Sequence, residues 1–408
     1  MDEGTTADSQ RDRFPLPRLS KGAHVSDCDL FSDPVLLDPY PVYEELRERC
    51  GVVWLERFGG FLLTRFDDVQ SALADAHVFC SGQGVSMNDK MNEALRGGLL
   101  CSDGAPHDVM RKVLFKPLAT QELRELKSRV HDEAEALVAR VVAEKRFDAA
   151  AALAQHLPVT IVSDLVGLPE EGRERMLVWA AANFDCFGPM NKRTTESFPI
   201  VEEMVRYAFG ECVPGKLKPG GWAQRIWDAA DRGEIRHEQC PSMMNDYMGP
   251  SLDTTIYAIQ SAVRLFAENP DQWTILREDP KLMSNAVNEV LRIESPLQLF
   301  TRAATADVVI DGVAIPAGSR IIVSYGAANR DPRKWEQPDE FRVRRKATDQ
   351  VAFGHGAHRC IGANLARLEM FALFSALAPR VRRFELHHAE RSLNNVLRGH
   401  SRLDVSLN

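Results

Sequence analysis

Hydrophobic positions along the chain repeat mainly at the spacing of an α-helix. Over residues 120–145, apolar side chains recur at steps of three and four, which predicts one long amphipathic helix. The same spacing predicts helices that begin near Pro41, near Asp67 and right after Cys360, and helices over residues 237–268 and 281–293. The predicted structure is therefore mainly helical.

Short segments with β-branched or alternating residues predict strands between these helices. Gly59-Gly60 and Asp311-Gly312 are turn sequences, and each separates two such segments, which predicts two hairpins. The predicted strands cover residues 52–55, 60–64, 308–310, 313–315, 320–323 and 403–407. Small sheets are thus expected beside a large helical body.

Two segments depart from regular spacing. Pro250 lies inside the helix predicted over residues 237–268, and because proline removes a backbone hydrogen bond, we expect a kink near Asp246. Residues 80–102 are rich in glycine and lack periodicity, which predicts a long loop of the kind that often covers a site.

The composition predicts a globular protein with one domain. Of the 408 residues, 44% are hydrophobic and 26% are charged. Residues 1–26 lack periodicity and are predicted to form a flexible arm, whereas residues 27–408 show no linker and are predicted to form a single domain.

Charge and apolar patterning exclude several classes of function. The net charge of -8 argues against a nucleic-acid partner. No apolar run approaches the length of a membrane span, and no signal peptide is evident, so we expect a cytoplasmic protein without a membrane partner. The eight cysteines include no C-x-x-C pair, so neither a zinc ribbon nor a disulfide framework is predicted.

Cys360 lies between a glycine-rich turn and the start of a predicted helix. Gly354, Gly356 and Gly362 allow the backbone to fold tightly and to approach a flat partner closely. Backbone N–H groups at a helix N-terminus favour a thiolate, which is a ligand for soft metals. The alternative interpretation is a buried structural cysteine.

Residues 353–362 have the pattern F-G-x-G-x-H-x-C-x-G, which resembles the haem-binding loop of the cytochrome P-450 superfamily, in particular its soluble bacterial members. The resemblance implies a mainly α (α+β) fold, a helix-rich triangular prism with small β-sheets. It also implies haem b as the cofactor, buried in that fold. Cys360 would be the axial ligand of the iron, with Phe353 and Gly362 beside the haem.

Glu289 and Arg292 match the family's E-x-x-R motif. They are three residues apart on a predicted helix, so they share a face and can pair. A further arginine often joins this pair in the family, but Glu340 stands at that position here. Arg342 or Arg345 could take its place, and the sequence leaves this choice open.

The two propionates of a haem require cations or hydrogen-bond donors. By resemblance, the matching residues here are His107, Arg111, Arg302 and His358. His107 and Arg111 are one helical turn apart and could reach one carboxylate. The alternative for Arg111 is a solvated surface charge.

Asp253 and Thr254 resemble the acid–threonine pair that the family places beside the iron for oxygen activation. Such a pair can relay protons into a dry pocket, with the threonine holding oxygen and water. The alternative is an aspartate and a threonine that face solvent or bond back to the helix. Pro250-Ser251 replaces the small residues usual in the family, which could reduce the coupling of electron use to product.

Much of the chain resembles bacterial monooxygenases that oxidise para-substituted benzoates. Two positions depart from a carboxylate-binding pattern, because Gln83 stands where an arginine is expected and Asp246 where a serine is expected. Asp246 would repel a carboxylate, so we expect a small or medium aromatic or terpenoid-like substrate that is neutral or carries a hydrogen-bond donor. The predicted substrate-pocket residues are Ser86, Met87, Phe184, Phe187, Asp246, Gly249, Leu299 and Leu397.

The resemblance implies a haem-thiolate monooxygenase that uses O2 to hydroxylate or O-dealkylate (for example O-demethylate) a small molecule. No flavin, nicotinamide or iron–sulfur motif is evident, so electrons are expected from a separate ferredoxin and its reductase. The predicted basic docking patch consists of Lys112, Arg345, Arg359 and Arg367. Two alternatives remain, a peroxide-driven peroxygenase and a haem-binding sensor without turnover.

Overall fold

The computed structural model describes residues 23–144 and 146–408. Most of the predicted arm, residues 1–26, lies outside the described residues, as does Lys145, the last residue of the predicted long helix. The final residues of the arm differ from the prediction. His24–Ser26 forms strand β1, because it pairs in parallel with strand Val52–Leu55 and becomes the edge of that sheet.

The described residues form sixteen α-helices, and no helix among them is long and apolar enough to cross a membrane. Their bounds, in chain order from α1 to α16, are Asp33–Leu37, Tyr40–Arg49, Phe66–Ala74, Asp89–Leu95, Gly104–Phe115, Thr120–Glu144, His156–Val166, Met176–Asp185, Lys192–Gly210, Trp222–Asp231, Cys240–Met248, Asp253–Glu268, Pro270–Glu278, Met283–Glu294, Tyr325–Ala328 and Ala363–Leu377.

Eleven strands form three sheets in the described part of the chain. The remaining strands, β2 to β11, are Val52–Leu55, Gly60–Leu63, Phe79–Cys80, Arg146–Asp148, Leu299–Ala304, Val308–Ile310, Val313–Ile315, Arg320–Ser324, Phe384–Arg391 and His400–Leu407. The largest sheet has the order β1-β2-β3-β9-β6-β4, a second has the order β10-β11-β5, and β7 pairs with β8. The prediction of a mainly helical fold with small sheets is confirmed.

Five strands of the described residues were not predicted: the short β1, β4 and β5, and the longer β6 and β10. Strand β6 is antiparallel to both β9 and β4, and strand β10 is antiparallel to β11. Thr301 and Arg302 interrupt the apolar pattern of β6, and residues 385–391 of β10 are mostly polar. These strands depend on partners distant in sequence rather than on local periodicity.

The prediction of one continuous helix over residues 237–268 is wrong. The chain forms a single 3-10 turn at His237–Gln239, then α11, and then α12, with an interruption between Met248 and Asp253. Pro250 lies in this interruption, where its missing N–H needs no helical partner. The break therefore falls after Asp246, which remains inside α11.

The long loop predicted over residues 80–102 contains a helix. Asn88 caps the start of α4, because its side-chain oxygen accepts a hydrogen bond from the Met91 N–H at 2.8 Å. Asn92 holds the preceding turn through the N–H groups of Val85 and Ser86, at 2.9 and 2.8 Å. These hydrogen bonds give the segment a defined conformation.

Packing places α12 at the centre of the helical body. It contacts α14 and α16, and α16 lies along α6. Phe266 of α12 packs with Trp273, Phe341 and Phe374, at ring-centroid distances of 4.8, 5.4 and 5.6 Å. Apolar surface buried between these elements fixes α12 relative to the start of α16, which follows Cys360.

Candidate active site

Cys360 lies at the end of a tight turn. Gly354 and Gly356 have φ angles of 69° and 70°, in the left-handed region that favours glycine. A Cβ atom on Gly356 would lie 2.4 Å from the Leu73 carbonyl oxygen, so only glycine lets the loop approach α3 this closely. The Cys360 N–H donates to the Phe353 carbonyl oxygen at 2.8 Å and closes the loop.

Some features around the Cys360 sulfur favour its neutral thiol, and others favour the thiolate. Burial raises the pKa of the Cys360 thiol, although backbone hydrogen bonds from Gly362 and Ala363 and the charges of Arg111 and Arg367 act in the opposite direction. The expected thiolate preference from the helix N-terminus is therefore outweighed by desolvation. Binding of a metal ion deprotonates such a ligand, so the protein groups assist a thiolate that the metal must stabilise.

A cavity of about 280 Å³, taken as the space open to the centre of a water-sized sphere, lies beside Cys360. Its walls come from the Cys360 loop, from α12 on the opposite side and from β6, and they are mostly apolar. Wall residues near the sulfur and on α12 include Phe353, Ile361, Thr254, Thr255 and Ala258. Cys360 itself is exposed to this space, so its sulfur can bind a ligand within the cavity.

Four predicted propionate partners line the same cavity: His107, Arg111, Arg302 and His358. The two imidazole rings lie 4.3 Å apart between centroids, and His358 Nε2 lies 2.9 Å from Asp103 Oδ1. Burial and the nearby Arg302 lower the pKa of His358 to about 4. His358 is thus a neutral hydrogen-bonding group at neutral pH.

This set of residues fits a haem. His107 is buried, and its Nε2 atom has no partner among the described residues, as expected of a group that awaits a ligand. Arg302 is also buried, Arg111 donates to the Arg359 carbonyl oxygen at 2.7 Å, and both cations line the cavity, where they can meet an anionic group. Cys360 would ligate the iron, and the haem would supply dioxygen activation.

The E-x-x-R pair is fully buried and forms two hydrogen bonds. Arg292 Nε lies 2.7 Å from Glu289 Oε2, and Arg292 Nη2 lies 2.9 Å from Glu289 Oε1. The third partner is Arg345, whose Nε donates to Glu289 Oε1 at 3.0 Å. Arg342 contributes only its backbone N–H, at 3.2 Å, while its side chain pairs with Glu340.

This pairing changes the predicted basic patch. The Arg345 side chain is 10% exposed and is occupied by Glu289 and by backbone carbonyl groups, so its inclusion in the patch is wrong. Lys112 and Arg359 are exposed, and the Arg367 guanidinium is half-buried over the Phe353 ring at 4.4 Å. The patch is therefore reduced to these three cations.

Thr254 lines the cavity at the first turn of α12, opposite the Cys360 loop. Its hydroxyl donates to the Pro250 carbonyl oxygen at 3.2 Å, which ties the first turn of α12 to the interruption that precedes it. Asp253 is buried behind it, and its Oδ2 has no partner among the described residues. Burial, together with the charge of Asp185, raises the pKa of Asp253 to about 7. A carboxyl of this kind can hold a proton near neutral pH.

Three predicted substrate-pocket residues line the cavity: Phe184, Phe187 and Asp246. The two phenylalanine rings lie 6.2 Å apart between centroids, with an interplanar angle of 42°. Phe187 also lies 4.9 Å from the ring of Phe300. These three rings form an aromatic wall above the space beside Cys360.

Ser86 and Met87 are not among the wall residues in the described structure, which corrects the prediction. Ser86 Oγ donates to the Cys186 and Phe187 carbonyl oxygens at 3.3 and 3.2 Å, and the Met87 N–H donates to the Phe187 carbonyl oxygen at 2.9 Å. Both residues therefore contact the backbone of Phe187 and do not line the cavity themselves. Gln83 is exposed, away from the wall.

Leu299, Leu397 and Gly249 likewise do not appear among the described wall residues. Side chains alternate along β6, so Phe300 and Arg302 face the cavity whereas Leu299 faces the core. Leu397 pairs with Leu297 across a β-bridge, and Leu297 is the wall residue. Gly249 packs closely against Asn183, since a Cβ atom there would lie 2.8 Å from Asn183 Nδ2.

The structure adds wall residues that the sequence did not indicate: Asn183, Ser242, Asn245, Thr255, Leu297, Phe300 and Tyr325. Phe300 could have been found, because it is two positions from Arg302 on one strand. Asn245 and Asn183 carry no local signal, since their exposure to the cavity depends on how α8 and α11 pack.

Comparisons with known proteins agree with this geometry. The family model described as cytochrome P450 matches residues 229–403. Cytochrome P450 CYP199A2 from Rhodopseudomonas palustris is 36% identical over 384 residues, which cover 93% of each chain. The vitamin D(3) 25-hydroxylase of Pseudonocardia autotrophica is 30% identical over 395 residues, 93% of this chain and 96% of the relative.

Among solved structures, P450BioI in complex with an acyl carrier protein ligated to hexadec-9Z-enoic acid matches with a TM-score of 0.84 and 25% identity, covering 92% of this chain and 99% of that one. The chain therefore belongs to the cytochrome P450 family and is a haem b-dependent monooxygenase. The predicted superfamily, cofactor and enzyme class are confirmed.

Proposed function

We propose that this monooxygenase uses O2 to hydroxylate or O-dealkylate a small or medium aromatic or terpenoid-like substrate. The observation that carries the proposal is the cavity beside Cys360, which has an aromatic wall of Phe184, Phe187 and Phe300 and a hydroxyl of Thr254 on the opposite helix. Aromatic rings at these separations favour contact with a planar or compact apolar ligand.

Asp253 and Thr254 are proposed to move protons to the oxygen side of the cavity. Asp253 Oδ2 is buried, unpartnered among the described residues and adjacent in sequence to the threonine that lines the cavity. A carboxyl with its pKa raised to about 7 can both take up and release a proton near neutral pH. Thr254 would orient the oxygen-bearing group and a water through its hydroxyl.

A separate ferredoxin and its reductase are proposed as the electron donors. Arg359 belongs to the Cys360 loop, Arg367 and Arg111 are close enough to act on the Cys360 sulfur, and Lys112 is exposed at the position after Arg111 on α5. Such a cationic surface suits an acidic electron-transfer protein, despite the net charge of -8. Reversal of the Lys112 or Arg359 charge should slow electron transfer most at low ionic strength.

The central experiment tests the haem–thiolate site. The reduced carbon monoxide complex of the purified protein should show the red-shifted Soret band of a thiolate ligand, and Cys360→Ala should abolish it. Cys212→Ala is the matched control, because Cys212 is buried away from the cavity and should leave the band intact. A colourless protein, or an unshifted band, would contradict the proposed site.

Turnover then separates the alternative functions. The monooxygenase proposal expects one oxygen atom from labelled O2 in the product, when a ferredoxin and its reductase supply electrons. A peroxygenase would instead react with hydrogen peroxide at a higher rate than with this electron chain, and a sensor would bind haem and form no product. The buried Asp253 beside Thr254 favours the monooxygenase.

A further inference from the structure

Asp246 is a half-buried acid on the cavity wall, and its buried Oδ2 atom has no partner among the described residues. It lies on α11. Burial alone raises the pKa of Asp246 to about 7, so no nearby cation compensates its charge. An uncompensated acid in an apolar cavity is costly for the fold, and a ligand that pairs with it removes the cost.

A neighbouring amide adds a second free acceptor. Asn245 lines the same cavity, and its Oδ1 atom is buried without a partner among the described residues. Asn183 of α8 reaches the same region and lies against Gly249. A group that supplies several donors and no acceptor complements two free acceptors best, and an organic ammonium is such a group.

Burial alone accounts for the raised pKa of Asp246, so no cation among the described wall residues compensates its charge. Three of the four arginines on this wall have other partners. Arg302 donates to the Thr301 carbonyl oxygen at 2.7 Å, Arg111 donates to that of Arg359, and Arg96 pairs with Glu93 at 3.0 Å. A carboxylate ligand placed near Asp246 would therefore meet repulsion without a balancing charge. The polar end of this cavity therefore favours a cationic group over an anionic one.

We propose that Asp246, supported by Asn245 and Asn183, forms a subsite that binds an ammonium group of the substrate and rejects carboxylates. This inference rests on the proposed monooxygenase function and names its substrate class, an aromatic or terpenoid-like amine. The apolar end of the substrate then packs on Phe184, Phe187 and Phe300.

The test uses the haem-loaded protein and three matched probes, 4-isopropylbenzylamine, 4-isopropylbenzyl alcohol and 4-isopropylbenzoate. Affinity is measured by calorimetry and, independently, by the low-to-high-spin shift of the Soret band. The ammonium should bind about 10- to 100-fold more tightly than the alcohol, as expected for a hydrogen bond between charged groups. The benzoate should bind most weakly.

Two variants assign the effect to Asp246. Asp246→Asn should reduce the affinity for the amine at least about tenfold and should raise the affinity for the benzoate. Asp246→Ser is a second variant of smaller size with the same expected direction. Glu369→Gln is the matched control, because Glu369 is a buried acid outside the cavity wall that likewise has one unpartnered carboxyl oxygen among the described residues, and it should change neither affinity.

Three outcomes would overturn the inference while leaving the monooxygenase proposal intact. These are benzoate binding as tight as that of the amine, unchanged amine affinity in both Asp246 variants, and a red-shifted Soret band that shows the amine nitrogen bound to iron. Loss of the thiolate signature in the carbon monoxide complex would instead contradict the proposed function itself.

Discussion

Arg345 should contribute more to stability than Arg342, although both arginines lie in the same loop and either could complete the Glu289–Arg292 pair by sequence. We therefore consider Arg345→Met and Arg342→Met as a matched pair. Arg345 donates to the buried Glu289 carboxylate at 3.0 Å and to the Glu336 carbonyl oxygen at 2.6 Å. The Arg342 side chain contacts the exposed Glu340, at 2.7 Å.

The magnitude follows from burial. Arg345→Met removes the hydrogen bond to the buried Glu289 carboxylate, a contribution of about 1.5–3 kcal/mol, together with the more exposed bonds to the Glu336 and Gln337 carbonyl oxygens. Glu289 keeps Arg292, so the loss stays below the roughly 3–5 kcal/mol expected when a buried ion pair loses a whole partner. Arg342→Met removes an exposed pair worth about 0–1 kcal/mol, and its backbone N–H still donates to Glu289. We expect a difference of about 2 kcal/mol between the two variants.

Urea unfolding of the haem-loaded variants measures this difference, with tryptophan fluorescence and the Soret band followed together. The Arg345 variant should unfold at lower urea and lose haem earlier, whereas the Arg342 variant should follow the parent protein closely. Equal midpoints for the two variants, or a larger shift for Arg342→Met, would refute the assignment of Arg345 as the third partner.

Three further predictions concern other parts of the site. Gly356→Ala should destabilise the protein by at least about 2 kcal/mol more than Gly312→Ala in the same urea assay. Both glycines have positive φ, but only at Gly356 would the added Cβ lie 2.4 Å from a backbone oxygen. Glu369→Gln should stabilise the protein at pH 8.5, by up to about 4 kcal/mol, and have little effect at pH 5. Burial raises the pKa of Glu369 to about 8, whereas the unfolded carboxyl ionises above its ordinary pKa of about 4.5, so the stability penalty grows from about pH 5 and is nearly complete at pH 8.5. Asp253→Asn should lower turnover by about 100-fold or more and remove the decline in rate above pH 7. The reason is that the pKa of Asp253 is raised to about 7, so its proton is lost above that pH. An unchanged pH profile would contradict the proposed relay.

The sequence predicts the Cys360 loop well because its chemistry is local. Glycine at 354 and 356 permits positive φ, and the helix that follows begins at Ala363, close to the predicted start. The hairpin of β2 and β3 is equally local, since a glycine turn joins two apolar strands. Local backbone chemistry needs no knowledge of distant partners.

The cavity wall is less predictable because it depends on packing between distant elements. One position separates Leu299 from Phe300, yet only Phe300 faces the cavity, and β6 acquires that orientation from its pairing with β9. The choice between Arg342 and Arg345 depends on the path of an irregular loop, for which no periodicity exists. Asn183 and Asn245 reach the wall only because α8 and α11 pack side by side.

Charged groups are distributed differently on the two sides of the cavity. On the Cys360 side, Glu289 is paired with two arginines, and Asp103 accepts hydrogen bonds from the Ser81 and Gly82 N–H groups and lies 2.9 Å from His358. Paired charges of this kind hold a rigid cradle for the haem.

On the opposite side, Asp246 and Asp253 each keep a buried oxygen without a partner in the described residues. These acids lower the stability of the ligand-free protein, because a buried carboxyl without a donor is penalised. A fold selected for stability alone would pair them or replace them with apolar residues. Their retention beside a preformed cradle is understandable if Asp246 pairs with an ammonium group of the substrate and Asp253 takes up a proton. Substrate specificity and proton supply then both lie on the side where the substrate binds.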